Sequence, residues 1–245
     1  MRKLVAGNWK MNGLAASLGE LAALKELLAG TPPTCDVLIC PPATLLAQAA
    51  WHVKGAFALG GQDCHALAQG AFTGDLSAEM LKDAGASYVI VGHSERRQYH
   101  RETSAQVALK AQAGWRAGLK AIICIGESLD ERKAGSADHI CASQLKDSVP
   151  DDATAANTVI AYEPVWAIGT GVTATAADIT AMHAHIRGCL VARLGEGARQ
   201  MPILYGGSVN PGNAVEILSL PEVGGALVGG ASLKSQDFSR IVRAA

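Results

Sequence analysis

The chain has 245 residues, 49% of them hydrophobic and only 4% aromatic, with a formal net charge of -1. Near-neutrality gives no field for nucleic acid or for an anionic membrane surface, so neither is an expected partner. No apolar run reaches the ~20 residues that cross a bilayer, because Glu20, Lys25 and Glu26 break the longest early one, and the opening MRKLVAGNWK lacks the apolar stretch of a signal peptide.

Taken in chain order, eight short apolar runs recur: LVAGN (4 to 8), DVLIC (36 to 40), FALGG (57 to 61), YVIVG (88 to 92), KAIICIG (120 to 126), TVIAY (158 to 162), PILYGG (202 to 207) and GALVGG (225 to 230). Between them lie helix-like segments such as LAASLGELAALKELL, SAQVALKAQAGWRAG and DITAMHAHIRGCLVARL. The runs are continuous rather than alternating, as expected of a parallel sheet covered on both faces. Eight such alternations predict an α/β fold, a (β/α)8 barrel. A doubly wound open sheet is the alternative, but no GxGxxG follows the first strand. With no linker or low-complexity tract, one domain over residues 1 to 245 is the expectation.

Six cysteines, Cys35, Cys40, Cys64, Cys124, Cys141 and Cys189, have no CxxC spacing, and several lie in apolar runs where a free thiol acts as a small hydrophobe. Reduced thiols in a cytoplasmic protein are expected. His183 and His185 are two apart on a predicted helix and face different ways, so no metal site is expected.

In such a barrel the chemistry sits at the carboxyl ends of the strands. There the sequence places Asn8, Trp9 and Lys10 after strand one, His93, Ser94 and Glu95 after strand four, Glu163 after strand six, Gly206, Gly207 and Ser208 after strand seven, and Gly229 and Gly230 after strand eight. Each alone has a plainer reading: a solvated lysine, a structural histidine, a strand-end acid, glycines in turns. Convergence on one rim favours function. The glycine pairs bare backbone N–H groups, and a short helix over Ala231 to Lys234 would add its N-terminus, so a phosphate monoester is the expected ligand, with Lys10 supplying a full charge. One carboxylate, one imidazole and one ammonium, without a nucleotide fingerprint, suit proton abstraction beside a carbonyl: Glu163 as base, His93 and Lys10 stabilising the oxyanion. Ser94 reads as the cap of the helix that follows, and that positive end disfavours imidazolium at His93.

The segment AYEPVWAIGTG (161 to 171) orders these parts. Pro164 holds Glu163 at a strand end, and the apolar Val165, Trp166 and Ile168 followed by Gly169 and Gly171 describe a lid. It resembles the base-and-lid segment of the triosephosphate isomerase family, and AGNWKMNG, GAFTGD, VGHSERR, CIGE, YGGSVNPGNA and LVGGASL occur in that family's order along the whole chain. The resemblance implies cofactor-independent interconversion of dihydroxyacetone phosphate and glyceraldehyde 3-phosphate. It implies that Asn8 and Lys10 contact the substrate, that His93 is the electrophile and Glu163 the base, and that Gly169, Ser208, Gly229 and Gly230 hold the phosphate. The pairing of glutamate base, neutral histidine and closing loop belongs to the family and is taken over with the likeness. Glu95 resembles the acid beside the lysine and Cys124 the thiol behind the base, though both also suit plain packing. GAFTGD, with Thr73 near its tip, resembles the interdigitating loop of a homodimer whose partner steadies Asn8, Lys10 and Glu95.

Departures from the family's pattern are Val172 where a lysine often opens the lid's trailing hinge, Asp63 after Gln62 where asparagine is common, and Phe72 and Asp75 in GAFTGD. Two other functions remain in view: a Schiff-base aldolase using Lys10, and a catalytically silent sugar-phosphate binder on the same barrel.

Overall fold

Eight strands close into a parallel barrel in sequence order, the first pairing with both the second and the eighth. The computed structural model describes residues 2–167 and 174–245. The strands are β1 (Leu4–Asn8), β2 (Asp36–Cys40), β3 (Ala58–Gly61), β4 (Tyr88–Val91), β5 (Lys120–Ile125), β6 (Thr158–Tyr162), β7 (Ile203–Tyr205) and β8 (Gly225–Val228). Each falls within the apolar run predicted for it. The trailing glycines of the runs at β7 and β8 lie outside the strands and belong to the rim.

The helices are α1 (Leu18–Ala29), α2 (Ala43–Val53), α3 (Ala78–Asp83), α4 (Ser94–Tyr99), α5 (Ser104–Arg116), α6 (Leu129–Lys133), α7 (Ala137–Ser148), α8 (Ala176–Leu194), α9 (Ala214–Ser219) and α10 (Ser235–Arg243). Several begin at reciprocal caps that satisfy otherwise orphaned N–H groups: Thr103 with Gln106 opens α5, Ser128 with Glu131 opens α6, and Thr175 with Asp178 opens α8.

Strand alternation divides the core into two layers. Leu4, Ala6, Leu38, Ile90, Ile122 and Val159 point into the barrel, while their neighbours Val5, Ile39, Val89, Ile123 and Ile160 pack outward under the helices. The inward parity then carries on past the last apolar layer. Leu4 and Ala6 lead to Asn8 and Lys10, Val159 and Ala161 to Glu163, Leu204 to Gly206, and Leu227 to Gly229. The same two-residue period that fills the barrel therefore delivers the rim.

Candidate active site

Asn8, Lys10, His93, Glu163, Ser208, Gly229 and Gly230 line one cavity of about 330 Å³ at the carboxyl ends of the strands. Glu95 stands beside it with Oε1 2.7 Å from Lys10 Nζ. Cys124 is fully buried on the inner face of β5, and Thr73 is exposed in the turn between β3 and α3. Ile168, Gly169 and Gly171 of the predicted lid, and the Val172-Thr173 part of its hinge, lie outside the described residues.

His93 is out of step with the inward parity of β4, which would bring Gly92 rather than His93 to the interior. Gly92 resolves this with φ +69°, a left-handed conformation that turns the chain and re-aims the next side chain. A side chain at Gly92 would also stand 2.7 Å from Val107. Lys10 adopts φ +53°, strained for a residue with a side chain. Its backbone is clamped on both sides: its N–H donates to Asn8 Oδ1 at 3.0 Å, and its carbonyl accepts Gln62 Nε2 at 2.9 Å.

Glu163 is 1% exposed. Its carboxylate accepts the Ser94 N–H at 2.9 Å and the Ser94 hydroxyl at 3.1 Å, and lies 2.9 Å from His93 Nε2. Burial pushes this carboxyl up, but His93 and the two Ser94 donors outweigh it and hold the group below the ordinary range. For His93, burial disfavours the charged ring while the Glu163 carboxylate favours it, and the net push is upward. The ring is nonetheless neutral by geometry. Nδ1 accepts the Glu95 N–H at 3.2 Å and so keeps its lone pair, leaving the proton on Nε2, facing Glu163. The upward push comes mainly from the Glu163 carboxylate, with Glu95 adding to it and Lys10 opposing it.

That bond corrects the sequence reading of the cap. His93 is the N-cap of α4 through its own ring, and Ser94 is the first helical residue, free to serve Glu163. The predicted short helix after β8 is present as a 3₁₀ turn, Gly230–Leu233, one residue earlier than expected. Trp9 secures it: the buried indole Nε1 donates to the Ser232 carbonyl at 3.0 Å. The turn's first N–H groups, which have no partner within it, begin at the cavity wall.

Behind these residues stands a layer that sequence reasoning did not single out. Glu127 is fully buried and accepts the Tyr162 hydroxyl at 3.1 Å and the Trp166 indole at 2.8 Å, tying the chain after β6 to the residues that follow β5. Arg97 reaches the carbonyls of Gly92 and Cys124. Asp63 binds Lys110 and Arg96 at 2.7 and 2.8 Å, Lys110 also meets Glu102, and Glu102 accepts the Gly92 N–H at 3.1 Å. The acid at position 63 is thus built into the support behind His93, and burial raises its carboxyl despite Lys110. Burial also raises the Cys124 thiol, with the nearby Glu163 carboxylate adding to it. A mid-chain CIGE was the only trace of Glu127 in the sequence. Arg96, Arg97 and Lys110 read as ordinary polar helix positions and Glu102 as a loop acid, while Asp63 stood out only as a departure from the family's pattern.

A closed eight-stranded barrel whose rim gathers a carboxylate, an imidazole and an ammonium around a small glycine-walled cavity defines a barrel enzyme that moves protons on a small anionic substrate. The triosephosphate isomerase model matches residues 3–245, and the chain belongs to that family. The triosephosphate isomerase of Afipia carboxidovorans is 60% identical over 248 residues, covering 100% of this chain and 98% of its own, and that of Caulobacter vibrioides is 57% identical over 99% and 96%. The crystal structure of triosephosphate isomerase from Bartonella henselae superposes with a TM-score of 0.93 at 50% identity, covering 100% of this chain and 99% of that one.

Proposed function

We propose that this chain, as one barrel domain over residues 1–245, interconverts dihydroxyacetone phosphate and D-glyceraldehyde 3-phosphate through an enediolate, with Glu163 as the base. The observation that carries the roles is the buried contact of Glu163 with His93 at one wall of a cavity whose other wall is glycine backbone. Glu163 takes the carbon-bound proton and returns it to the neighbouring carbon. His93 donates from Nε2 to the developing oxyanion, and Lys10 faces the same charge. Backbone N–H groups at Gly229 and Gly230, with Ser208, receive the phosphate, and Gly169 adds another when the lid closes. Asn8 orients the substrate from the end of β1. Glu95 holds Lys10, and Cys124 packs behind the base.

The resting carboxylate is bonded to Ser94, so catalysis requires it to swing from Ser94 toward the substrate. A closed lid then excludes water and holds the phosphate in the plane of the enediolate, which opposes its elimination. The aldolase reading is disfavoured because Lys10 is engaged in an ion pair with Glu95 rather than presented as a free amine. A silent binder has no use for the buried Glu163 and His93 contact.

We also propose a cytoplasmic homodimer in which Thr73 enters the partner. Apolar side chains stand exposed on the loops after β1 and β3, with Met11 at 97%, Leu14 at 79% and Phe72 at 42%. Five of the six cysteines are buried free thiols, which suits a reducing compartment. Sedimentation giving a 25.3 kDa monomer at micromolar concentration would remove the dimer.

The test of the function is a coupled assay on glyceraldehyde 3-phosphate with solvent deuterium followed into the product. Glu163→Gln is expected to lower kcat by roughly 10²–10⁴-fold while inhibition by inorganic phosphate stays within a few fold. Full activity in that variant would end the base assignment.

A further inference from the structure

The ladder between β4 and β5 stops early. Its last pair is Val91 with Ile123, whereas β5 continues beside β6 to the pair Ile125 with Tyr162. Beyond Val91 the chain turns away at Gly92, and the β4-facing backbone groups of the β5 end need other partners. Two side chains supply them. Arg97 Nη2 donates to the Cys124 carbonyl at 3.0 Å. Gln144, on α7, takes both groups of Gly126: its Oε1 accepts the Gly126 N–H and its Nε2 donates to the Gly126 carbonyl, each at 2.9 Å. Its amide thus stands where a neighbouring strand's peptide would.

The other side of this short extension carries Glu163. Ile125 accepts the Glu163 N–H at 2.8 Å, and Glu127 accepts the Val165 N–H at 3.1 Å. Gly126 lies between them, so close that a Cβ there would stand 1.7 Å from the Glu163 carbonyl oxygen. The peptide of Glu163 is therefore braced by Ile125, Gly126 and Glu127, and that tripeptide is pinned from behind by Gln144. Gln144 and Glu163 also border a common cavity of about 370 Å³, with Ser94 and Arg97 on its walls, in the gap left by the end of β4.

We propose that Gln144 is a positioning residue for Glu163, substituting for the missing strand and fixing the backbone from which the carboxylate swings between Ser94 and the substrate. This rests on the reading of Glu163 as the base. Gln144 touches neither the phosphate-side glycines nor His93. Its removal therefore acts on the proton-transfer step, where a displacement of about 1 Å can cost up to about a hundredfold.

The experiment measures kcat, KM and inorganic phosphate inhibition for Gln144→Met, Glu163→Gln and the double variant. Gln144→Met, near in volume but unable to hold either Gly126 group, is expected to lower kcat at least tenfold with KM and phosphate inhibition within about twofold. In the Glu163→Gln background it is expected to cost nothing further, because the group it positions is no longer a base. A Gln144→Met enzyme with parental kcat overturns the proposal, as does an equal loss in both backgrounds. Full activity in Glu163→Gln alone is instead the failure of the base assignment. Should Gln144→Met not fold, Gln144→Glu keeps the acceptor for the Gly126 N–H but sets a carboxylate oxygen against the Gly126 carbonyl in place of the donor. It is expected to lose at least threefold in kcat with KM unchanged, and parental kcat there counts equally against the proposal.

Discussion

Between β4 and β6 the rim is made of side chains that hold one another, whereas between β7 and β8 it is made of backbone from which side chains have been removed. On the first side Glu163 is fixed by Ser94 and His93, His93 by the Glu95 N–H, and the turn before it by Glu102 and Arg97. On the second side the wall is Gly206, Gly207, Gly229 and Gly230, with a 3₁₀ turn presenting its N–H groups. The difference follows the work assigned to each. A proton must be taken and returned by a group whose charge and place are set, and a side chain in a closed hydrogen-bond network achieves that. An anion that is only held needs donors at short range and room to approach, and bare backbone provides both.

The contrast breaks most sharply at His93. His93→Gln keeps a side-chain donor and acceptor near the same place, but loses the aromatic ring that caps α4 while aiming Nε2 at Glu163. We expect kcat to fall by roughly 10²–10³-fold with phosphate inhibition little changed. A rise in KM matching the loss in kcat would show instead that the two sides do not separate.

A second test addresses the seam between them. His183 on α8 is fully buried, edge-on to Tyr162 of β6 at 5.9 Å and tilted against Tyr205 of β7 at 6.4 Å between ring centres. Its Nδ1 lies 3.2 Å from the Glu222 carbonyl, and its Nε2 is buried without a hydrogen-bond partner among the described residues. Burial, with Arg187 adding to it against Glu222, lowers the ring's pKa to about 4. The folded state therefore prefers the neutral ring, and this contribution is whole above the ordinary pKa of about 6.5 and is lost as pH falls through about 4. The loss amounts to about 3 kcal/mol of stability across that window. Urea unfolding of the parent should weaken from pH 6.5 downward, and His183→Gln, which keeps a donor for the Glu222 carbonyl but does not titrate, should flatten that limb. Identical pH profiles for the two proteins would remove the assignment.

Much of this was legible in the sequence, for reasons that differ along the chain. All eight strands could be read because parallel strands buried on both faces give unbroken apolar runs, and the rim residues because each follows such a run. Glu163 was visible through Pro164, and the anion side through paired glycines. The supports were not visible in the same way. Gln144 is one polar residue on a largely polar helix, and its role arises from a backbone pair 18 positions away in sequence. Ser94 looked like a helix cap because the sequence does not say that the histidine before it fills that place with its own ring. The left-handed Lys10 left no trace, since the strain is stabilised by Gln62, the residue after β3. The residues proposed to meet the substrate cluster by strand order, while the residues that hold them are scattered by tertiary packing.

The anion side itself contains two kinds of glycine, and the smallest expected effects separate them. At Gly207 a Cβ would stand 2.2 Å from the Tyr205 hydroxyl and 3.0 Å from Pro164, so this glycine is required by packing whatever the ligand. Gly207→Ala is expected to cost about 1–3 kcal/mol of stability by overpacking, seen as a lowered thermal midpoint. At Gly230 nothing among the described residues lies within 4 Å of the added carbon. Gly230→Ala should therefore fold like the parent and act only by narrowing the approach to the turn's N–H groups. On the proposed roles those groups hold the substrate's phosphate equally before and during proton transfer, so the expected change is a rise of a few fold in KM with kcat nearly unmoved. A drop in kcat at Gly230 larger than the rise in KM would mean that the phosphate grip is also felt at the base, and that the two halves of the rim work as one.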